Sequence, residues 1–390
     1  MREIYLDNSA TTPLCASAKE AMTSAMEVYG NPSSLHTVGQ EAHKLVEAAR
    51  REIALSLGLR SASDAGKILF TSCGSESDNL AILGTAFAKP RRQGGRVITT
   101  DSEHSGVENA MRLLESHGFE VVRIRTVGGE LDWEQYTEAL NDRTFLVSMM
   151  MVNNETGAQY DLAKAFALAK AKREDIVTHT DAVQGYLKCR FNPKTLRADM
   201  VTVSAHKIHG PKGVGALYVS PEALKRRDFI PCLYGGGQEY GFRSGTENVV
   251  GIAGFGAAAR QGYASLSDEI AHLRELRDYA CLRLSSLPVR INQPTGACAP
   301  HILNLTLPDI RSETMLHSLS AEGISVSQGS ACSSHAAGQV SRALLAFGLT
   351  DADAEASIRV SFGRQNTKED VDALVAALSE SVERLVRRRH

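Results

Sequence analysis

The feature that most constrains the fold is a repeated pattern in residues 67–207: a short apolar run ends at polar residues, and a helical pattern follows. The predicted strands are Lys67–Thr71, Arg96–Thr100, Val121–Arg125, Thr144–Val152, Ile176–Asp181 and Met200–Ser204. Nearly continuous apolar character, as in Thr144–Val152, is typical of parallel strands buried on both faces. The pattern predicts an α/β fold with a mostly parallel sheet. It does not predict the direction of a further run, Gly215–Ser220.

Polar side chains recur where these predicted strands end. They are Ser75, His104, Asn154, Asp181, Gln184 and Lys207. Any one of them is more often structural, because Asp, Asn and Ser frequently cap helices. However, open α/β sheets bind ligands outside the carboxyl ends of their strands. The recurrence therefore predicts a ligand site at that edge.

Lys207 lies between His206 and His209 in the segment Ser204–Gly215, after a predicted strand and before a Gly/Pro turn. A lysine anchored at a strand end, with hydroxyl and imidazole neighbours, is a candidate Schiff-base lysine. In isolation the simpler interpretation is an exposed loop lysine. The other strand-end residues favour the functional interpretation.

The segment Ser72–Asn79 connects a predicted strand to an apolar helix through small residues. Such a turn directs backbone N–H groups and the positive end of a helix dipole towards a phosphate. It matches neither G-x-G-x-x-G nor the Walker loop. Taken alone, an ordinary turn with a serine cap explains it better.

Composition limits the class of protein. The net charge of −2 predicts neither a nucleic-acid coat nor a polybasic membrane anchor. Residues Met1–Asn8 lack the apolar stretch of a signal peptide, and no apolar run approaches the roughly 20 residues that span a bilayer. Seven scattered cysteines without a C-x-x-C pair argue against a disulfide framework or a zinc site. We expect a cytoplasmic protein with no resident metal.

Cys332 is a candidate nucleophile. It lies in the polar segment Ser325–Gly338, where its neighbours are Ser, Ala, Gly and His. A cysteine in a polar loop is accessible and can react as a thiolate. Without further context, a tolerated surface thiol is the simpler interpretation.

Ten segments carry a resemblance to a known family, in the family's own order. They are Tyr5–Pro13, Gly30–His36, Phe70–Asn79, Glu103–His104, Asn153–Gly157, His179–Gln184, Ser204–Gly213, Arg243–Thr246, Gly329–Cys332 and Ser357–Gly363. Together they resemble the cysteine desulfurases of the NifS/IscS type, which are pyridoxal-phosphate (PLP) enzymes of aminotransferase class V. The resemblance covers essentially the whole chain.

The resemblance implies the type I PLP-dependent transferase fold as a homodimer. With the change to an Ala-rich helical composition near Val249, it implies three parts. Residues 1–14 are an N-terminal segment associated with the small domain. Residues 15–255 form a large PLP-binding domain with a mostly parallel sheet. Residues 256–390 form a smaller α+β domain that carries the Cys332 loop.

The resemblance also implies catalytic roles. Lys207 forms a Schiff base with PLP and moves the substrate Cα proton. His104 stacks on the cofactor ring and assists proton transfer. Asp181 pairs with the ring nitrogen and keeps it protonated. Cys332 attacks the substrate sulfur and becomes a persulfide.

The remaining implied roles are in binding. Asn154 and Gln184 lie near the phenolic oxygen of the cofactor or near the substrate. Arg359 holds the substrate carboxylate through a bidentate guanidinium, together with Asn31. The residues implied to bind the cofactor phosphate are Gly74, Ser75, Ser204, His206 and, across the dimer, Thr246. Ala205 is implied to contact the cofactor.

The implied reaction converts L-cysteine to L-alanine, and Cys332 delivers the sulfur to an Fe–S scaffold protein or, as an alternative, to tRNA thiolation. Cys332 is also open to transient ligation of iron on a scaffold; no direct nucleic-acid or membrane contact is expected. Two enzyme alternatives stay open, a selenocysteine lyase and another class V β-lyase. A non-enzyme alternative is a PLP-binding platform that recruits partner proteins.

Two features depart from the family pattern. Cys73 stands where a glycine is expected in the phosphate turn, and it adds a thiol close to the cofactor. The segment Cys332–Arg342 is slightly shorter than in IscS-like members, which leaves the sulfur acceptor open. The Arg-x-Gly-His-His-Cys pattern of the SufS-like subgroup is absent.

Overall fold

The computed structural model describes residues 3–59, 66–307, 309–328 and 340–387. The strands are β1 (Ile4–Tyr5), β2 (Lys67–Thr71), β3 (Arg96–Thr100), β4 (Glu120–Ile124), β5 (Thr144–Ser148), β6 (Val177–Asp181), β7 (Met200–Ser204), β8 (Gly215–Val219), β9 (Arg290–Ile291), β10 (Ile302–Thr306), β11 (Ile324–Ser325) and β12 (Ser357–Ser361). The helices are α1 (Ala16–Ala25), α2 (Thr37–Ser56), α3 (Gly74–Phe87), α4 (Ser105–Ser116), α5 (Trp133–Ala139), α6 (Leu162–Lys172), α7 (Pro193–Leu196), α8 (Pro221–Arg226), α9 (Val249–Ala264), α10 (Leu266–Leu284), α11 (Ser312–Ala321), α12 (Arg342–Phe347), α13 (Asp351–Glu355) and α14 (Lys368–Arg387).

Within the described ranges, seven strands form the central sheet in the order β2–β8–β7–β6–β5–β3–β4. Neighbouring strands from β7 to β4 run parallel, whereas β8 is antiparallel to both β2 and β7. The predicted α/β fold with a mostly parallel sheet is confirmed. The direction of Gly215–Val219, which its pattern left open, is antiparallel.

The strand predicted at Thr144–Val152 is too long, because β5 ends at Ser148. The chain stays buried beyond that point through Met149, Met150 and Met151. Met149 N and Met151 N still donate to main-chain oxygens of the neighbouring strand β6, at 3.1 and 2.8 Å. These residues are apolar because they are buried, although they no longer form a regular strand.

Two layers of helices cover the sheet. Alternate side chains of β2 enter different cores: Leu69 packs with residues of α3 and α4, whereas Ile68 and Phe70 pack with residues of α2, α6 and α9. Successive side chains of a strand point to opposite faces, so a sheet covered on both faces needs apolar residues at every position. The carboxyl ends of the parallel strands remain open at one edge.

The C-terminal part has its own apolar core. The antiparallel strands β12, β10 and β9 pack with residues of α10, α11 and α14. Leu6 joins this core, and β1 pairs in parallel with β11. The predicted division between residues 255 and 256 falls within α9 and stays a prediction. No helix in the described ranges combines the length and apolar character that a membrane crossing requires.

Candidate active site

Lys207 lies on a short 3₁₀ turn, Ala205–Lys207, at the carboxyl end of β7. Its Nζ donates to the main-chain oxygens of Ser9 at 2.5 Å and Ala10 at 2.7 Å. Its own carbonyl oxygen accepts a hydrogen bond from Nζ of Lys188 at 2.7 Å. The amine is therefore held at the edge of the sheet, as predicted for a reactive lysine.

Residues 9–15, which we name the N-terminal strap, hold the lysine turn from one side. The backbone N–H and the hydroxyl of Thr12 both donate to the carbonyl oxygen of His206, at 2.9 and 2.8 Å. The backbone N–H of His209 in turn donates to the Thr12 hydroxyl at 2.7 Å. The position of Lys207 thus depends on residues near the N-terminus of the sequence.

Asp181 ends β6, and its buried carboxylate accepts a hydrogen bond from Val183 N at 2.9 Å. Burial raises the pKa of Asp181, while the charges of His104 and Lys207 act in the opposite direction. His104 precedes α4, and its Nδ1 accepts a hydrogen bond from Gly106 N at 3.1 Å. The side chains of Asp181, His104 and Lys207 line one cavity of about 160 Å³.

Gly74 and Ser75 at the start of α3, together with Ser204, form what we name the anion cup, which has the properties of an anion site. Gly74 and Ser75 open the helix, and Cys73 before them gives no side-chain cap to the first N–H groups. A Cβ at Gly74 would lie 2.9 Å from Cγ2 of Val183, so a larger residue does not fit. The buried hydroxyl of Ser204, which lines the same cavity, has no hydrogen-bond partner among the described residues. These donors suit a phosphate group.

His206 also lines the cavity, and its Nδ1 lies 3.2 Å from the Thr11 hydroxyl. Burial lowers the pKa of His206 to about 3, and the neighbouring cation of Lys207 adds to this effect. The imidazole is neutral at physiological pH, so it offers the anion a hydrogen bond and no charge.

Arg359 reaches the cavity from β12 with a side chain that is 1% exposed. Its two terminal nitrogens donate to Asn154 O at 2.9 Å and to Asp7 Oδ1 at 2.7 Å. Its Nε has no partner within the described part of the chain. A guanidinium held in this way presents a fixed donor to an anionic ligand.

Gln184 donates from Nε2 to Ser9 O at 2.9 Å, so it joins the N-terminal strap to the segment after β6. The structure brings most of the predicted site residues into a single cavity. Those that line it are Gly74, Ser75, His104, Asn154, Asp181, Gln184, Ser204, His206, Lys207 and Arg359.

Three predicted site residues do not line the cavity, and a fourth lies outside the described residues. Ala205 is buried behind the lysine turn and bonds through its N–H to Val214 O at 3.1 Å. Asn31 and Thr246 are exposed at the surface of the described chain and do not line the cavity. Cys332 lies outside the described residues.

The sequence reasoning missed several residues that line the cavity: Ser9, Ala10, Asp78, Met150, Val152 and Val183. Ser9 and Ala10 contribute main-chain oxygens, for which no sequence pattern exists. Asp78 follows Gly74 by four positions, and the helical period places both on one face of α3. That period could have identified Asp78. Cys73, noted as an added thiol, does line the cavity.

The fold and this cavity define a class of protein: a parallel sheet that carries a lysine, a buried carboxylate and an anion cup at its strand ends. Residues 4–374 match the family model described as "Aminotransferase class-V". The chain belongs to the aminotransferase class-V family.

Three similar proteins narrow the class. A "Cysteine desulfurase" of Trichormus azollae is 39% identical over 389 residues, which are 99% of this chain and 94% of that protein. A "Cysteine desulfurase IscS" of Dictyoglomus turgidum is 39% identical over 388 residues, 98% of this chain and 95% of that protein. A solved structure described as "NIFS-LIKE PROTEIN" has a TM-score of 0.89 at 35% identity, and the match covers 98% of this chain and all of that one. The predicted resemblance to NifS/IscS-type cysteine desulfurases is confirmed, and with it the PLP cofactor.

Proposed function

We propose that this chain is a PLP-dependent L-cysteine desulfurase, which converts L-cysteine to L-alanine and holds the sulfur as a persulfide on Cys332. One observation carries the proposal. The amine of Lys207, the carboxylate of Asp181, the anion cup and the guanidinium of Arg359 line the same cavity. That combination matches the carbonyl, ring nitrogen and phosphate of PLP and the carboxylate of an amino-acid substrate.

The residues fit the cofactor. The N–H groups of Gly74 and Ser75, the unpartnered hydroxyl of Ser204 and the neutral imidazole of His206 would hold its phosphate. Asp181 would hold the proton on its ring nitrogen. PLP, when bound, supplies a ring that withdraws electrons from the substrate Cα.

Lys207 has two tasks in the proposed reaction. Its amine would attach the cofactor covalently, and as a free amine it would be the base that receives the substrate Cα proton. The carbonyls of Ser9 and Ala10 hold Nζ at the strand end. His104, which lines the same cavity, would contact the cofactor ring and assist the proton transfer.

Arg359 is the proposed site for the substrate carboxylate. Its terminal nitrogens are fixed by Asp7 and Asn154, which leaves Nε as the donor without a partner in the described residues. Removing a buried guanidinium from water is unfavourable unless anions compensate it. Asp7 supplies one anion, and the substrate carboxylate supplies a second.

The sulfur transfer is assigned to Cys332. Its thiolate attacks the sulfur of the substrate, the new S–S bond forms, and the C–S bond breaks. The electron pair of that bond stays with the substrate carbon, which takes up a proton and leaves as alanine. The thiol must then reach an acceptor protein, which favours a loop position.

A homodimer is part of the proposal. Thr246 and Asn31 are exposed in the single chain, and apolar side chains close to Asn31 in sequence are exposed with them: Tyr29 is 86% exposed and Leu35 is 90% exposed. Exposed large apolar side chains mark interaction surfaces. A second copy would cover them and bring Thr246 to the cofactor phosphate of its neighbour.

We further propose that the sulfur acceptor is an Fe–S scaffold protein or a comparable acceptor, and that the protein works in the cytoplasm. A relative of similar length carries the name IscS. The scattered cysteines support a reducing compartment.

The test is intact-protein mass after a short incubation with L-cysteine, with alanine measured in the same sample. We expect the mass of one added sulfur on Cys332 and an equal amount of alanine. Cys332→Ser should keep the PLP absorbance and lose both products, whereas Cys232→Ser, at an exposed cysteine, should lose neither. Persulfide formation at a normal rate in Cys332→Ser would refute the role of Cys332 and direct attention to Cys73.

A further inference from the structure

Lys188 is a buried lysine to which the proposed reaction gives no role. It is 4% exposed, and burial lowers its pKa to about 8, although the charge of Glu269 acts in the opposite direction. Its Nζ donates to the carbonyl oxygen of Lys207 at 2.7 Å, and it forms no ion pair with a described carboxylate. Burying an ammonium group without an ion pair is unfavourable. The hydrogen bond to Lys207 therefore points to a reason for placing a lysine here.

The backbone directly before Lys188 is strained. Leu187 has a φ of +56°, in the left-handed region, where the Cβ of a bulky residue crowds the backbone. Strained residues persist only where surrounding contacts hold them, and they cluster at functional sites. Leu187 and Tyr186 are 4% and 1% exposed, so core packing holds this part of the chain. The side chain of Lys188 thus starts from a fixed and strained position.

Residues 182–189, which follow β6 and which we name the Lys188 segment, bind both ends of Lys207. Lys188 donates to the main-chain carbonyl of Lys207. Gln184 donates to Ser9 O at 2.9 Å, and the amine of Lys207 donates to the same oxygen at 2.5 Å. One segment therefore fixes the backbone of Lys207 directly and its amine through Ser9.

The bond from Lys188 differs from the bonds that the amine makes. Nζ of Lys207 donates to the carbonyls of both Ser9 and Ala10. Once this nitrogen is joined covalently to the carbonyl carbon of the cofactor, it keeps at most one hydrogen, so at least one of the two bonds is lost. The main-chain carbonyl of Lys207 takes no part in that change. The bond from Lys188 can therefore hold the backbone while the amine changes partners.

We propose that Lys188 is a positioning residue for Lys207: it holds the main chain of this lysine in place, so that the amine, once free, meets the substrate Cα in a fixed geometry. A hydrogen bond from an ammonium group is stronger than a neutral one. A small displacement of a catalytic group is enough to slow a reaction by about 100-fold. This inference rests on the proposed role of Lys207 as attachment point and base.

The first experiment follows the exchange of the Cα proton of L-alanine, the proposed product, with deuterium oxide. This exchange requires the bound cofactor and the amine of Lys207, but not the thiol of Cys332. Lys188→Met removes the donor and should lower kcat for exchange roughly 10- to 100-fold. KM for alanine should stay within about twofold, since the carboxylate site at Arg359 is untouched. An unchanged kcat, or a loss carried by KM, overturns the proposal.

A graded variant and a control accompany Lys188→Met. Lys188→Gln keeps a neutral donor on a shorter side chain, so its kcat should lie between those of the wild type and Lys188→Met. If Lys188→Met does not fold, Lys188→Gln decides alone: a lower kcat supports the proposal and an equal kcat overturns it. Lys212→Met, at an exposed lysine that follows the same turn, should exchange alanine like the wild type.

Amide hydrogen exchange of the same holoenzymes, measured by mass spectrometry, tests the lysine turn without turnover. The N–H groups of Ile208 and Gly210 donate to Ala205 O at 3.0 and 2.9 Å, so their exchange reports opening of the turn. In Lys188→Met we expect these amides to exchange about tenfold faster or more, and those of the C-terminal core to exchange as before. Unchanged exchange in the turn, or faster exchange throughout the chain, overturns the proposal.

Lys207→Ala separates this inference from the proposed function. It should abolish the exchange of alanine. If Lys207→Ala exchanges alanine at the wild-type rate, the proposed role of Lys207 fails, and the amide exchange still decides whether Lys188 holds the lysine turn. If Lys207→Ala is inactive while Lys188→Met matches the wild type, the inference about Lys188 alone fails.

Discussion

The base of the cavity and its rim differ in how completely one chain builds them. At the base, Lys207, Asp181 and Arg359 are bonded to residues of the same chain. Asn31 and Thr246, which we assign to the rim only on the proposed homodimer, are exposed and do not line the cavity of their own chain. The loop of Thr246 is nevertheless anchored beside the cup, since Arg243 donates to Glu76 at 2.7 Å. The difference agrees with the proposed homodimer: one chain arranges the side chains at the base, whereas the proposed roles of Asn31 and Thr246 require a second copy.

The largest effect is expected at the base, from Lys207→Ala. Removing the covalent attachment point should abolish the visible absorbance of the bound cofactor and reduce desulfuration by roughly a thousandfold or more, the scale seen when a covalent catalyst is removed. Absorbance spectra and alanine release measure both. Lys212→Ala, at an exposed lysine on the same loop, is the control and should behave like the wild type. An unchanged spectrum in Lys207→Ala would remove Lys207 from its role.

The next largest effect is expected from Arg359→Lys. Lysine keeps the charge and loses the planar fork, so one of the hydrogen bonds to Asp7, Asn154 or the substrate is lost. A hydrogen bond to a charged group contributes about 1.5–3 kcal/mol, so kcat/KM should fall roughly 10- to 100-fold, mainly through KM. Arg277→Lys, at a buried arginine outside this cavity, is the control. A fall confined to kcat would contradict carboxylate binding.

A smaller effect is expected at the rim, from Thr246→Ala. Loss of one hydrogen bond to the charged phosphate, about 1.5 kcal/mol, should weaken PLP retention about tenfold without changing the spectrum of the bound form. The measurement is PLP release during dilution. Thr137→Ala, at another exposed threonine, should have no effect. Equal retention in the two variants would argue against a contact between Thr246 and the phosphate of a second copy.

A further effect, on the pH dependence of stability, is expected at Glu103, which directly precedes His104 in the chain. Burial raises the pKa of Glu103 from 4.5 to about 8. The folded chain keeps a proton that the unfolded chain loses, so the stability contributed by Glu103 is full below about pH 4.5 and is lost as the pH rises to about 8. Glu103→Gln removes this dependence and keeps an acceptor for the Thr100 hydroxyl.

Urea unfolding of the PLP-saturated proteins measures the effect. The free energy of unfolding of the wild type minus that of Glu103→Gln should fall between about pH 5 and 8. Glu138→Gln, at an exposed glutamate, should give a difference that does not change with pH. A difference that rises with pH would mean that Glu103 is ionised in the folded protein.

Two residues of the base, Asp181 and Lys207, could be predicted from the sequence, whereas Arg359 lies within β12 and was identified only by resemblance. Asp181 and Lys207 each follow an apolar run, and parallel strands bring their carboxyl ends to one edge. The direction of β8 could not be predicted, since an apolar run has no polarity of its own. The carbonyls of Ser9 and Ala10 could not be predicted either, because every residue carries that group.

The predicted roles of the rim residues cannot be tested on the structure of a single chain. Thr246 and Asn31 were identified only by resemblance, and their side chains lie away from the cavity of their own chain. Asp78 shows the reverse case. Its helical spacing from Gly74 was visible in the sequence, but its place in the cavity and its position near His179 depend on the assembled sheet.

The N-terminal strap, together with Asp7 just before it, has a consequence for the order of folding. Ser9 bonds to Lys207 across 198 positions, and Asp7 bonds to Arg359 across 352. Contacts so distant in sequence form late, because the intervening chain must be ordered first. The first residues to be synthesised are therefore among the last to reach their final contacts. On the proposed role of Lys207, we expect a ribosome-bound fragment that ends before residue 359 not to retain PLP.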